Sequence, residues 1–144
     1  MTHLNIGDKI DISQLSSKPL NCKKLILYFY PKDNTPGCTA EACNLRDNYE
    51  LLQKEGYEVV GVSPDSEKSH ENFKTKFSLP FPLIADTEKT VLQQFGVWGE
   101  KKNYGKTYMG VNRMTFIISS EGVIEHIIKK VETKTHTEQI LKLK

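Results

Sequence analysis

Six consecutive apolar and aromatic residues, Leu25 to Tyr30, constrain this chain more than any other segment. A run of that length with no polar interruption offers no face to water. It therefore reads as a strand buried on both sides, and such strands lie in the middle of sheets that are covered on both faces. Pro31 cannot donate to a sheet ladder and ends the strand. It also opens a turn-rich segment, Pro31-Lys-Asp-Asn-Thr-Pro-Gly-Cys38, after which Ala42, Leu45, Tyr49 and Leu52 recur at spacings of three and four. That stripe predicts an amphipathic helix over Thr39 to Glu55.

The alternation continues downstream. Glu58 to Val62 reads as a short strand, Ser66 to Phe77 as a polar helix, Pro82 to Ala85 as a strand segment and Glu88 to Phe95 as a short helix. Gly96 to Gly110 carries four glycines, Trp98 and two tyrosines, and reads as a long loop of the kind that often bears function. Arg113 to Ile118 and Val123 to Val131 flank the hairpin turn Ser119-Ser-Glu-Gly122, and Thr135 to Leu143 closes the chain as a helix with Thr135 and Glu138 spaced as a capping box. Strands alternating with helices, followed by a hairpin and a last helix, predict an α/β protein: a central mixed β-sheet flanked by helices on both faces, an order that fits a thioredoxin-like fold. The 144 residues are expected to form a single domain, 1–144, able to bury a core without metal or disulfide staples.

Charge and hydropathy remove whole classes of function. Twenty basic residues stand against eighteen acidic ones, and no basic stripe is interleaved with aromatics, so nucleic-acid binding is not expected. The longest apolar run falls far short of the ~20 residues needed to cross a bilayer, so no membrane association is expected. Met1 to Ile12 has polar residues too closely spaced for a signal peptide, and the expected location is cytoplasmic. In that setting three cysteines, Cys22, Cys38 and Cys43, point to free or chemically active thiols rather than a disulfide framework. A zinc site is disfavoured, because no Cys-x-x-Cys or His-x-x-x-His pair exists among these cysteines and His3, His70, His126 and His136. A dithiol reductase would separate its cysteines by two residues, whereas four lie between Cys38 and Cys43.

Cys38 stands where a helix begins. Thr35 suits the N-cap and Pro36 the first helical position, which puts Cys38 in the first turn. Unpaired N–H groups and the positive end of the helix dipole favour an anion there, and the thiolate is the nucleophilic form of cysteine. Gly37 lets a small substrate approach the backbone, whose N–H groups can bind a developing oxyanion. Cys38 also shares the stripe of Ala42 and Leu45, as a small core residue would. Cys43 lies five residues further on. On an ideal helix that spacing separates the Cα atoms by roughly 8.6 Å, beyond the limit of about 7 Å for a disulfide. Pairing the two would require the first helical turns to unwind.

Pro31-x-x-x-Thr35-x-x-Cys38 matches the active-site pattern of the peroxiredoxins. The flanking Tyr28-Phe-Tyr-Pro-Lys-Asp-Asn-Thr-Pro-Gly-Cys-Thr-Ala-Glu-Ala-Cys-Asn-Leu-Arg-Asp47, Phe95-Gly-Val-Trp-Gly-Glu100 and Gly105-Lys-Thr-Tyr-Met-Gly110 resemble the bacterioferritin comigratory protein, or peroxiredoxin Q, branch. The resemblance runs from about Leu25 to Ile140. It implies a thiol peroxidase in which Cys38 is the peroxidatic nucleophile, oxidised by hydrogen peroxide or an organic hydroperoxide to a sulfenic acid. Cys43 would be the resolving cysteine, forming an intramolecular disulfide that thioredoxin or a similar dithiol reduces. Thr35 would hydrogen-bond the peroxide, Pro31 would shield the thiolate, and Arg113 matches the family's active-site arginine. Glu41 and Arg46 are candidates for a supporting network or for exposed helix charges. The resemblance implies no metal and no organic cofactor, and a monomer. The segment between Gly7 and Leu25 is shorter than the family's usual N-terminal hairpin, and Cys22 is extra, read as an adventitious thiol. A non-catalytic redox sensor that passes oxidation to a partner protein would use the same first chemistry and stands as the alternative.

Overall fold

The computed structural model describes residues 4–11, 23–103 and 105–143. In chain order the elements are β1 (Lys24–Phe29), α1 (Pro36–Asp47), α2 (Tyr49–Lys54), β2 (Tyr57–Ser63), α3 (Glu67–Phe77), β3 (Leu83–Ala85), α4 (Thr90–Gln94), β4 (Trp98–Asn103), β5 (Lys106–Val111), β6 (Met114–Ser119), β7 (Ile124–Ile128), a 3-10 turn (Thr133–Thr135) and α5 (His136–Leu141). Five strands form one mixed sheet in the order β3-β2-β1-β6-β7, parallel from β3 to β1 and antiparallel from β1 to β7. The apolar run at Leu25 is thus the central strand.

Its side chains divide between two cores because successive residues of a strand point to opposite faces. Leu25, Leu27 and Phe29 pack with Val60, Val62, Phe95, Phe116 and Ile118 on one face, beneath Leu92 of α4. Ile26, Tyr28 and Tyr30 pack with Cys38, Leu45, Phe73, Ile117 and Ile140 on the other, beneath α1, α3 and α5. Helices therefore cover both faces, as the sequence predicts. No helix among the described residues is long and apolar enough to cross a membrane.

Four local expectations are corrected. The single helix expected to run to Glu55 breaks at Asn48, whose side-chain amide donates to the Asn44 carbonyl at 2.8 Å; a side chain that competes for backbone groups in this way interrupts a helix. The loop expected at Gly96 to Gly110 contains the two-stranded ribbon β4–β5, which pairs Trp98 with Val111 through to Asn103 with Lys106. Lys106 to Met109 are all exposed, so no apolar alternation marked that ribbon as strand. Strand β7 ends at Ile128, short of Val131. The capping box of the last helix does not form, because the Thr135 hydroxyl donates to Glu132 Oε2 at 3.0 Å.

Residues 4–11 run along the edge strand β7. Gly7 N donates to Ile124 O at 2.7 Å, Ile124 N to Asp8 O at 2.9 Å and Ile10 N to Gly122 O at 2.8 Å, which pairs Lys9 with Val123 in antiparallel fashion. The edge exposed by a short N-terminal segment is covered here in part. The remainder of that segment, with Cys22, lies outside the described residues.

Gly61 of β2 is required by packing rather than by a turn. A Cβ at this position would stand 2.8 Å from Leu83 Cδ2 and 2.8 Å from Tyr28 Cζ. Tyr28 stacks on Tyr30 with centroids 5.4 Å apart and meets Phe81 edge-on, so its ring cannot retreat without disturbing the face that carries Cys38. Gly61→Ala is expected to lower stability by about 1–3 kcal/mol, the usual cost of overpacking. Urea unfolding with an unchanged m-value would measure it, and an unshifted midpoint would refute it.

Candidate active site

Three segments converge beneath the C-terminal end of β1: the loop from Pro31 to Thr35, the first turns of α1, and Arg113 just before β6. Open α/β sheets commonly bind ligands at this end of their strands. Thr35 holds the N-cap position of α1 with extended backbone angles, and Pro36 follows as the first helical residue. Cys38 lies in the first turn, 1% exposed. Its Sγ accepts a hydrogen bond from Arg113 Nη2 at 3.2 Å. A guanidinium donating to sulfur gives a thiolate a partner charge within the fold.

Arg113 is itself held from behind. Its Nη1 donates to Glu41 Oε1 at 2.7 Å, with the Glu41 side chain 0% exposed and the arginine 22%. The planar fork thus bridges Glu41 and Cys38, two residues one helical turn apart on α1. Gly37 makes room for it, since a Cβ there would stand 3.3 Å from Arg113 Nη2. Burial pushes the Glu41 carboxyl up to about 7, against the opposing pull of Arg113. The guanidinium stays charged: burial works against its charge, but Glu41 and Cys38 more than offset this.

Thr35 does not cap the helix with its side chain. Its hydroxyl donates to the Lys32 carbonyl at 3.0 Å, which leaves the oxygen able to accept a hydrogen bond. Pro31 is half-buried at the end of the β1 run. Cys43 is half-buried on α1, and both it and the buried Cys38 are free thiols. Arg46 is not brought to the site: it pairs with Asp47 at 2.9 Å and donates to the Phe77 carbonyl at 2.8 Å, tying α1 to the end of α3.

Two sets of residues that sequence reasoning did not assign to the site complete it. The first anchors the loop. Asp33 is buried and accepts from Tyr30 OH at 2.6 Å and Ser69 Oγ at 2.8 Å, while its backbone N–H donates to Asp65 Oδ2 at 2.7 Å. His70 Nδ1 lies 2.7 Å from Asp33 Oδ2 and its Nε2 lies 3.0 Å from the Ile84 carbonyl. Both ring nitrogens face acceptors, so both carry protons and the ring is an imidazolium. Burial opposes that charge, yet Asp33 overcomes it and His70 is held above the ordinary histidine value. Burial likewise opposes the Asp33 carboxylate, and its hydrogen bonds from His70, Tyr30 and Ser69 hold it below the ordinary value. Asp33, Asp65 and His70 bring ligand-type atoms within 4.8 Å of one another, but an imidazolium has no lone pair for a metal. The second set lies behind Glu41. His136 of α5 is fully buried, with Nε2 at 2.8 Å from Thr115 Oγ1 and 3.5 Å from Glu41 Oε2. Thr115 was findable, because it stands two residues beyond Arg113 on the same face of an extended segment. His136 carries no local signal.

The chain has relatives among known proteins. The AhpC/TSA family matches residues 3–127. A putative peroxiredoxin Bcp of Coxiella burnetii is 49% identical over 127 residues, 88% of this chain and 84% of the relative. Among solved structures, Xylella fastidiosa PrxQ superposes with a TM-score of 0.86 at 34% identity, covering 98% of this chain and 95% of its own. The Xanthomonas campestris bacterioferritin comigratory protein, described for its alkyl peroxide reduction activity, gives 0.77 at 40% identity over 82% of this chain and 75% of its own. With a mixed sheet covered by helices, a helix-start cysteine and these relatives, the chain belongs to the AhpC/TSA family, in the Bcp and peroxiredoxin Q branch of the peroxiredoxins.

Proposed function

We propose that this protein is a thiol peroxidase that reduces hydrogen peroxide and organic hydroperoxides with Cys38 as its nucleophile. The observation that carries the reading is the 3.2 Å hydrogen bond from Arg113 to Cys38 Sγ at the start of α1. The thiolate attacks one peroxide oxygen, the O–O bond breaks, and Cys38 becomes a sulfenic acid. The other oxygen leaves as hydroxide or alkoxide and takes up a proton to give water or an alcohol. Arg113 and the free N–H groups of the first turn of α1 face the place where that negative charge develops. Thr35, its own hydroxyl proton directed to Lys32, accepts a hydrogen bond from the O–H of the bound hydroperoxide and so orients it. Pro31 keeps bulk water off the sulfur.

Cys43 then attacks the sulfenic sulfur, water leaves, and a Cys38–Cys43 disulfide forms. Because the helical spacing is too long for that bond, the first turns of α1 must unwind. The structure offers a reason for unwinding to stop near Cys43. Asn44 is tied on both sides, its amide donating to Lys134 O at 2.9 Å and its Oδ1 accepting from Thr137 N at 2.8 Å. A dithiol such as thioredoxin returns both cysteines to thiols. This cycle suits a monomer in the cytoplasm, where thiols are kept reduced.

One experiment tests the cycle. Reduced protein is treated with one equivalent of hydrogen peroxide, its disulfides are mapped by mass spectrometry, and amide exchange is compared over residues 35–46. The expected result is a Cys38–Cys43 bridge with protection lost from residues 36–42, followed by multiple NADPH-linked turnovers with thioredoxin and its reductase. A bridge to Cys22, or oxidation without loss of protection, would overturn the Cys43 assignment. A single oxidation with no turnover by any dithiol would make the chain a sensor.

A further inference from the structure

The residues around Cys38 raise a problem of charge. Arg113 is one cation touching two groups that can each be an anion, Cys38 Sγ at 3.2 Å and Glu41 Oε1 at 2.7 Å. With the sulfur and Glu41 both almost wholly buried, a thiolate and a carboxylate together would leave the cluster with an uncompensated negative charge. Uncompensated buried charge is among the costliest states a fold can hold.

Behind Glu41 there is a place for the missing proton. Among the described residues Glu41 Oε2 has no hydrogen-bond partner, and it lies 3.5 Å from His136 Nε2. The protonation of His136 follows from its neighbours. Gln139 Nε2 donates to the Lys130 carbonyl at 3.0 Å and its Oε1 accepts from Glu132 N at 2.8 Å, which fixes the amide orientation. His136 Nδ1 faces that Oε1 at 2.9 Å and therefore carries a hydrogen. In the neutral ring Nε2 accepts from the Thr115 hydroxyl at 2.8 Å, so one additional proton has two sites, Glu41 Oε2 or His136 Nε2.

We propose that the Glu41–His136 pair retains one proton while Cys38 is a thiolate, and that this proton, by cancelling the charge of Glu41, leaves Arg113 to serve the sulfur and the peroxide. Glu41 and His136 are then positioning residues of the reaction. The proposal rests on the assignment of Cys38 as the nucleophile. The directions of titration agree with Glu41 as the resident site near neutral pH. Burial raises Glu41 to about 7, while burial, with a contribution from Arg113, holds His136 below the ordinary histidine value. Once the pair loses its proton, the carboxylate draws Arg113 to itself and reactivity falls.

Among the described residues, few other charges face this pair. Tyr28 of β1 presents a buried hydroxyl that burial and the nearby Glu41 hold neutral. From just before β6 comes Arg113 and from β6 itself Thr115, from α1 Cys38, and from α5 Gln139. Glu132, Lys134 and Glu138 near the start of α5 are exposed to solvent. The Asp33–His70 pair is closed by its own hydrogen bonds at the other end of the loop.

The test is the second-order rate constant of the reduced full chain with hydrogen peroxide, followed by stopped flow from pH 5 to 10, in the wild type and in Glu41→Gln. The wild type is expected to lose rate on the alkaline side by roughly tenfold, part of what removing an oxyanion-type donor costs. Glu41→Gln keeps an acceptor for Arg113 but is neutral at every pH, so its alkaline limb disappears. If the limb survives in Glu41→Gln, it belongs to another group such as His70 and the proposal is overturned. A wild type that reacts with peroxide but has no alkaline limb also overturns it. A wild type in which Cys38 does not react at all refutes instead the assignment of the nucleophile. Should Glu41→Gln not fold, infrared difference spectra of the wild type against Cys38→Ser decide. A protonated carboxylic acid band that diminishes on losing the thiolate supports the proposal, and an unchanged carboxyl region refutes it.

Discussion

Cys38→Ser is expected to abolish peroxide turnover, and Arg113→Ala to lower the second-order rate constant for peroxide by about 10²–10³, the usual loss when one preorganised donor is removed from a developing oxyanion. The serine hydroxyl is a far weaker nucleophile at neutral pH and forms no sulfenic acid. The arginine effect has two parts. Arg113 Nη2 donates to Cys38 Sγ at 3.2 Å, and in the proposed reaction the same guanidinium would also meet the charge that gathers on the leaving oxygen. Arg113→Lys should recover only a small part of the rate, because one ammonium cannot bridge Glu41 and the sulfur in the plane that the fork spans at 2.7 and 3.2 Å. The fold should tolerate Arg113→Ala, since Glu41, already raised to about 7, can take up a proton rather than remain as an unpaired buried charge. Stopped-flow oxidation of each reduced variant, with far-UV circular dichroism as the folding control, gives the comparison. An Arg113→Ala rate within threefold of wild type would remove the guanidinium from the mechanism.

The part of this architecture that was legible in the sequence is the part governed by local pattern. The run from Leu25 to Tyr30 could be read as a central strand because it offers water no face, and the structure buries it from both sides. The start of α1 was legible from Thr35 and Pro36, two residues whose backbone chemistry suits the first turn. The ribbon β4–β5 was not legible, because a two-stranded arm with exposed faces needs no alternation of apolar residues. Arg46 shows the opposite failure. Its spacing from Cys38 suggested a role in the site, and only the position of the Phe77 carbonyl, 31 residues away, accounts for where it points. The charged network was the least legible of all. Arg113 reaches Cys38 across 75 residues and Asp33 reaches His70 across 37, and no pattern within one element encodes such contacts. Family resemblance supplied Arg113; it did not supply His136 or His70.

His70→Ala is expected to destabilise the protein by about 3 kcal/mol, the lower end of the cost of breaking a buried ion pair from one side. Asp33 and His70 have side chains only 3% and 4% exposed, and removing the imidazolium leaves the Asp33 carboxylate with hydrogen bonds but no counter-charge. For a chain of this size the melting temperature should fall by roughly 10 °C. The deficit should also depend on pH in a predictable sense. His70 is raised above its ordinary 6.5, so its contribution is complete below 6.5 and is lost as pH rises through the higher folded value. Asp33 is depressed below its ordinary 3.8, so its contribution is complete above 3.8 and is lost as pH falls through the lower folded value. The gap between wild type and His70→Ala is therefore widest between those two ordinary values and narrows on either side, in thermal unfolding measured across the pH range. A gap that stays constant into alkaline solution would mean that His70 stabilises the fold by packing against Tyr30 alone, without charge. The location of the pair gives the outcome a functional side. Asp33 lies between Pro31 and Thr35, so the ion pair ties that loop to His70 of α3, whose Nε2 also meets the Ile84 carbonyl of β3, and in the proposed reaction this is the loop that borders Cys38.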